Sequence, residues 1–177
     1  MQKIGLGGGC HWCTEAVFQS LKGVRKVEQG WLAPKEDPAN FSEGVLVHFE
    51  PKQISLHVLV AIHLHTHSAT SNHSMRKRYR SAIYVFSEEQ NIESRKAIND
   101  LKRDFEQPVI TEILTYGNFE LNNERLLEYY YQAPQRPFCQ TYIHPKLKIL
   151  LEKFKAVVNE EKILGNCMLN NYLNPEQ

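Results

Sequence analysis

Gly7-Gly8-Gly9-Cys10-His11-Trp12-Cys13 follows a strand-like start, Lys3-Ile4-Gly5-Leu6, and runs into Thr14-Glu15-Ala16-Val17-Phe18, which places a cysteine where a helix begins. The first backbone N–H groups of a helix have no partner inside it and carry the positive end of the macrodipole. A sulfur anion is stabilised there, and a thiol pKa can fall from ~8.5 into the range ~3.5–7.5. Cys10 is therefore the candidate nucleophile. The glycines let backbone and substrate approach the sulfur and tolerate the positive φ of a tight strand-to-helix turn. Cys13 follows one helical turn later on the same face, so the pair also reads as a Cys-x-x-Cys dithiol, with a buried, inert Cys13 as the alternative.

Other residues could complete such chemistry. Glu43 stands between a loop spanning Pro34 to Asn40 and a strand, where a carboxyl can face a pocket, or can equally be a solvated strand-start glutamate. Tyr79-Arg80-Ser81 lead into a strand at Ile83. Cys139, in Pro137-Phe138-Cys139-Gln140, falls in a loop between two helices, mobile enough to approach a distant thiol, and a redox nucleophile needs a second cysteine to be regenerated. His63, His65 and His67, with His73 beyond, form a histidine-rich stretch. Only His63 and His67 share a helix face, and no paired Cys-x-x-Cys set completes a tetrahedral site, so surface histidines and no metal are expected. Arg76-Lys77-Arg78-Arg80 is a local basic cluster, read as a solvated loop whose field also helps hold a thiolate at Cys10.

Composition narrows the classes. The chain has 177 residues, 21 Lys+Arg against 20 Asp+Glu and a net charge of +1. That length suits one domain, here residues 1–165, with a loose Asn-rich tail at 166–177. A near-neutral balance gives no global field toward nucleic acid or an anionic membrane, so partners should be proteins or small molecules. No apolar run approaches the roughly 20 residues of a membrane span, and no signal-like start is present; a cytoplasmic setting is expected. Four cysteines are too few for a disulfide scaffold and fit catalytic use in a reducing compartment.

The elements that must position these residues alternate along the chain. Strands are expected at Ile4–Leu6, Val24–Trp31, Gly44–Phe49, Ser81–Phe86 and from Pro108 to Leu114. Helices are expected over Thr14–Leu21, from a Ser55 cap to His65, from the capping-box start Ser87-Glu88-Glu89-Gln90 to Phe105, and over Asn122–Gln132 and Pro145–Asn159. Strands returning after helices imply an α/β (α+β) two-layer sandwich: a mixed, mostly antiparallel sheet with helices mainly on one face, ferredoxin-like.

Gly8-Gly9-Cys10-His11-Trp12-Cys13-Thr14-Glu15, Gly23-Val24, Ser42-Glu43, the helix entry at Pro51 and Ile54-Ser55, Tyr79-Arg80-Ser81-Ala82-Ile83-Tyr84 and Ser87-Glu88-Glu89-Gln90 together resemble the A-type peptide methionine sulfoxide reductases. The resemblance runs from about Lys3 to Gln140 and takes in Ile110-Thr111-Glu112-Ile113, Phe119 and Pro137-Phe138-Cys139. It implies thiol-based reduction of methionine sulfoxide, free or in oxidised proteins, hence protein repair under oxidative stress. Cys10 would attack the sulfoxide sulfur and become a sulfenic acid. Glu43, a carboxyl whose pKa burial raises, would donate to the sulfoxide oxygen, and Tyr79 would hydrogen-bond the same oxygen. His11 and Trp12 would wall a slot for the substrate methyl group. Cys139 would form a disulfide with Cys10, and Cys167 would relay it outward to thioredoxin; Cys13 is a second possible resolving thiol. No metal or organic cofactor is implied.

The chain departs from the family at several points. His11 stands where the family has phenylalanine, and Cys13 where it has a small residue. The segment between Gly30 and Glu43 is short and lacks a tyrosine, Phe138 replaces a tyrosine, and Leu126-Leu127 replace a His-Gln pair. A Cys-x-x-Cys dithiol-disulfide oxidoreductase, and a degenerate non-catalytic or metal-binding relative, are the competing readings.

Overall fold

The computed structural model describes residues 1–164. Its elements are β1 (Gln2–Gly7), α1 (His11–Gln19), β2 (Val24–Pro34), β3 (Ser42–Phe49), α2 (Leu56–Thr66), β4 (Ala82–Val85), α3 (Glu88–Leu101), β5 (Glu112–Leu121), α4 (Tyr129–Gln132), α5 (His144–Lys153) and α6 (Glu160–Leu164). A π-helical turn, Cys139–Ile143, runs straight into α5. The tail at 166–177, with Cys167, lies outside the described residues.

Local sequence accounts for most of these boundaries. Ser55 caps α2 by accepting the Val58 N–H, and Ser87 caps α3 by accepting the Gln90 N–H, in the manner that makes serine a favoured N-cap. In β3, Val45, Val47 and Phe49 alternate into the core and are fully buried. They pack with Ile4, Leu6, Ile83 and the apolar faces of α1, α2 and α5 in one large cluster. A smaller cluster of Leu32, Leu46, Ala82 and Tyr84 forms on the sheet's other face.

The five strands run in the order β1-β3-β2-β5-β4, all antiparallel except the β4–β5 pair, and β1 also pairs with β4. The sheet is thus mixed and mostly antiparallel, but it closes into a barrel, where the sequence suggested a ferredoxin-like two-layer sandwich. Gly5 permits the closure. A Cβ on it would lie 2.8 Å from Tyr84 Cβ, across the β1–β4 seam.

Two expected elements differ in extent from what their patterns suggest. Asn122–Gln132 resolves into a 3-10 turn, Glu124–Leu126, and α4. Between them Glu128 adopts a left-handed backbone, φ 52, while its N–H donates to Glu15 Oε1 at 3.0 Å. That tertiary contact outweighs the local helical preference. The strand expected to end at Leu114 instead continues to Leu121, because its second half pairs with β2 from Gly30 to Pro34.

Candidate active site

Gly7 pairs with Gly44 of β3 and Ala82 of β4, so three strand ends meet where the chain turns into α1. Gly8 makes the turn with φ +155, and a Cβ on it would lie 2.4 Å from His67 Cδ2. Cys10 then occupies the N-cap of α1. Its carbonyl accepts the Cys13 and Thr14 N–H groups at 3.1 and 3.2 Å, and its side chain forms no cap, leaving the sulfur available. The Cys13 thiol donates to that sulfur and the Trp12 N–H does the same; against the opposing effect of burial they lower the Cys10 pKa from 9.0 to about 7. Cys13 moves the other way. Holding its hydrogen on Cys10, buried, and facing the Cys10 charge, its thiol is pushed far up, with Lys146 only partly offsetting this. Lys146 itself is anchored by donating to the Thr66 carbonyl.

Glu43 is the second residue of β3, opposite Trp31 of β2, and is 1% exposed. Oε2 accepts the His11 backbone N–H at 3.1 Å and faces His11 Nδ1 at 2.9 Å; Oε1 accepts Arg78 Nε at 2.6 Å. Burial works to raise this carboxyl, but the His11 and Arg78 donors outweigh it, and the net shift is downward. The resting group is a carboxylate, opposite in direction to the raised pKa that the resemblance implied. Tyr79 stands beside it: burial and then the Glu43 charge raise its phenol, and it also senses Cys10. Cys10, Glu43 and Tyr79 are thereby brought to one place.

The basic cluster proves structural rather than free. Arg76 donates to the Gly8 carbonyl at 3.0 Å and the Tyr79 carbonyl at 2.9 Å, tying the turn before Cys10 to the segment carrying Tyr79. Arg78 reaches Glu43 and lies 5.9 Å over the Trp31 ring.

His11 is 5% exposed. Its ring is enclosed between Glu43 and Asn122, whose Nδ2 lies 2.9 Å from His11 Nε2, and it meets the Trp12 ring edge-on with centres 6.0 Å apart. Trp12 stacks flat on Tyr129, with ring centres 4.1 Å apart, and meets the edge of Phe138 at 5.4 Å. Tyr129 thus supplies a tyrosine ring although the segment between Gly30 and Glu43 has no tyrosine.

Cys139 is buried in the π-helical turn, its Sγ 3.7 Å from the Ala133 carbonyl, where a mobile loop was expected. The reason is packing: it joins the main core, and burial raises its thiol. Cys13 lies toward this turn. Its Sγ is 4.0 Å from the Tyr142 carbonyl, and Cys139 is close enough to oppose its ionisation.

His63 and His67 share a face as expected, but they are not surface residues. Their rings stack at 4.1 Å, His63 is buried, and His67 Nε2 lies 2.7 Å from Ser81 Oγ. Among the described residues no group of three His, Cys, Asp or Glu side chains is placed to hold a metal.

Sequence reasoning missed Asn122, Gln29, Lys146 and Tyr129, and it placed Arg78 in a solvated basic loop without its contact to Glu43. Only Gln29 carried a signal: it shares a face with Trp31 two residues on, and a glutamine on the inward face of a strand requires a polar partner inside.

A thiol at a helix start with a lowered pKa, a carboxylate fixed beside it and two further thiols behind it define a thiol-dependent oxidoreductase, carried on a closed five-stranded sheet. The sequence profile described as peptide methionine sulfoxide reductase matches residues 2–158, and the chain belongs to this family. It is 34% identical over 171 residues to the peptide methionine sulfoxide reductase MsrA of Psychrobacter sp. (strain PRwf-1), covering 88% of this chain and 97% of that one. The fold is shared with reduced Mxr1 from Saccharomyces cerevisiae, at a TM-score of 0.70 and 23% identity over 80% of this chain and 90% of that one. It is also shared with Mxr1 in complex with Trx2, at 0.58 and 21% over 70% and 82%.

Proposed function

We propose that this chain is a peptide-methionine (S)-S-oxide reductase recycled by thioredoxin. The observation that carries the reading is the lowered Cys10 thiol beside a buried carboxylate on the neighbouring strand end. The Cys10 thiolate attacks the sulfoxide sulfur, the oxygen passes to Cys10 as a hydroxyl, and the thioether leaves. The substrate sulfur gains two electrons and Cys10 loses two, becoming a sulfenic acid. One proton is needed at the oxygen. Glu43 is a carboxylate at rest, so it supplies that proton from Oε1 only after taking one up from solvent as the sulfoxide oxygen displaces Arg78; the Tyr79 hydroxyl is the second donor, and Trp12 with its aromatic neighbours walls the methyl side. Cys139 then attacks the Cys10 sulfur; the S–S bond forms and water leaves. A dithiol protein reduces that disulfide, and the Trx2 complex of a relative with this fold supports thioredoxin in that part.

No helix among the described residues is long and apolar enough to cross a membrane, and a cytoplasmic repair role after oxidative stress belongs to the same proposal. The Cys13 thiol resting on the Cys10 sulfur favours a second reading, general dithiol–disulfide exchange. The test is turnover of each methionine sulfoxide epimer with dithiothreitol and then with thioredoxin. Activity on the S epimer alone is expected, abolished by Cys10→Ser and lowered about 10²-fold by Glu43→Gln. Reduction of insulin disulfides without sulfoxide turnover would select the second reading.

A further inference from the structure

We propose that a chain of side chains, the buried Glu15, Gln29 and His11 linked through the half-buried Asn122, orients Glu43 for proton delivery, with His11 and Asn122 as its positioning residues. This rests on the reductase reading. Gln29 Nε2 donates to Glu15 Oε2 at 2.7 Å and to the Leu126 carbonyl at 3.0 Å. Asn122 Nδ2 donates to Gln29 Oε1 at 2.8 Å and points at His11 Nε2 at 2.9 Å. Asn122 Oδ1 accepts the Asn123 N–H at 2.9 Å. His11 completes the path at Glu43 Oε2, through Nδ1 at 2.9 Å and its backbone N–H at 3.1 Å.

The direction of every bond in this path is set at its ends by backbone groups that have no choice of role. The Leu126 carbonyl can only accept, so the amide nitrogen of Gln29 faces it and Gln29 Oε1 faces Asn122. The Asn123 N–H can only donate, so Asn122 Oδ1 faces it and Nδ2 faces both Gln29 and His11. Reversing either amide would set donor against donor or acceptor against acceptor in a buried site, at a cost of ~1–3 kcal/mol for each group left unsatisfied. His11 Nε2 must therefore accept, and the ring hydrogen sits on Nδ1, on the side of the ring that faces Glu43.

The backbone N–H thus holds Oε2 by a hydrogen bond, and the ring Nδ1 lies against the same oxygen at 2.9 Å as an electrostatic contact, off the line of a hydrogen bond. Oε1 is left to Arg78, whose side chain is largely exposed and can give way to a substrate oxygen. The other charged or titratable groups facing Glu43 are Cys10 of α1 and Tyr79, which adjoins Arg78. Phenylalanine, the family residue at position 11, has no ring donor, so this arrangement is a property of this chain.

The test combines histidine 15N NMR with pH-dependent kinetics on the full chain. In the wild type, the His11 signals, assigned by their loss in His11→Phe, should show a hydrogen on Nδ1 and none on Nε2. Asn122→Asp, which reverses the polarity at Nε2, should place a hydrogen there. His11→Phe should lower kcat at least tenfold with KM changed less than twofold, and should move the limb of the kcat–pH profile that follows Glu43 upward by about one unit, since a lost electrostatic contact to a carboxylate raises its pKa by that order. His11→Asn, whose Nδ2 overlays Nδ1, should restore most of kcat. A wild-type signal with the hydrogen on Nε2, or an unmoved limb in His11→Phe with only a lower Tm, would overturn the inference. Absence of sulfoxide turnover in the wild type would instead sink the reductase reading, while the NMR tautomer would still decide the network.

Discussion

Arg78, with a side chain 55% exposed, places Nε 2.6 Å from Oε1 of Glu43, whose side chain is 1% exposed. A surface cation thus reaches inward to a buried anion, and removing it leaves that anion with only the His11 donors. Glu43 is held below its ordinary range, so its contribution to stability is present above the unfolded carboxyl pKa of ~4.3 and is lost as pH falls through the lower, folded value. Arg78→Leu should cost about 1–2 kcal/mol at neutral pH, discounted for the exposure of the guanidinium, and the deficit should shrink in acid. Urea unfolding at pH 7 and pH 3.5 checks this. A deficit that stays constant with pH would show that Arg78 acts through packing alone.

The Cys10 thiol should titrate near 7, and the largest cause is the Cys13 thiol. Rates of iodoacetamide alkylation against pH, followed by mass spectrometry at Cys10, report this directly. Cys13→Ala removes the donor and should move the midpoint upward toward the ordinary thiol value; Cys13→Ser keeps a donor and should hold it low. Equal midpoints in both variants would leave the helix start as the main stabiliser.

Resolution of the sulfenic acid should end with Cys10 linked to Cys139. Cys139 is buried in its π-helical turn, so this turn must open, and the step should be slow beside the chemical one. Cys139→Ser should complete one turnover and stall with thioredoxin. Peptide mapping after one equivalent of substrate identifies the bridge. A Cys10–Cys13 disulfide, with Cys139→Ser still recycled, would assign resolution to the thiol already resting on the nucleophile.

Burial lowers the His67 pKa from 6.5 to about 4 and that of His63 further. The unfolded chain therefore takes up protons that the folded one refuses, and stability should fall as pH drops from 6.5 toward 4. His67 alone accounts for roughly 3 kcal/mol across that window. Denaturant titrations at pH 7 and 4.5 should show a smaller loss in His67→Gln than in the wild type; identical losses would place the proton uptake elsewhere.

The nucleophile was legible in the sequence because its activation is local. A glycine-rich turn, a cysteine at a helix start and the N–H groups of the next residues lie within one stretch of chain, and the same locality exposed the Ser55 and Ser87 caps and the alternation of β3. Glu43, Tyr79 and Cys139 stood out as candidates by position, and the resemblance gave each its role. Sequence could not show what the carboxyl touches. The state of Glu43 depends on His11 and Arg78, 32 and 35 residues away in the chain, and the His11 ring depends on Asn122, 111 residues away. Hydrogen-bond direction and desolvation act over a few ångströms between segments that only the closed sheet brings together, as it does by pairing Gly7 with both β3 and β4. For the same reason a cysteine that reads as a loop residue is a buried core residue. The chain's local pattern decided where a thiolate forms, and tertiary packing decided which groups share its proton and its charge.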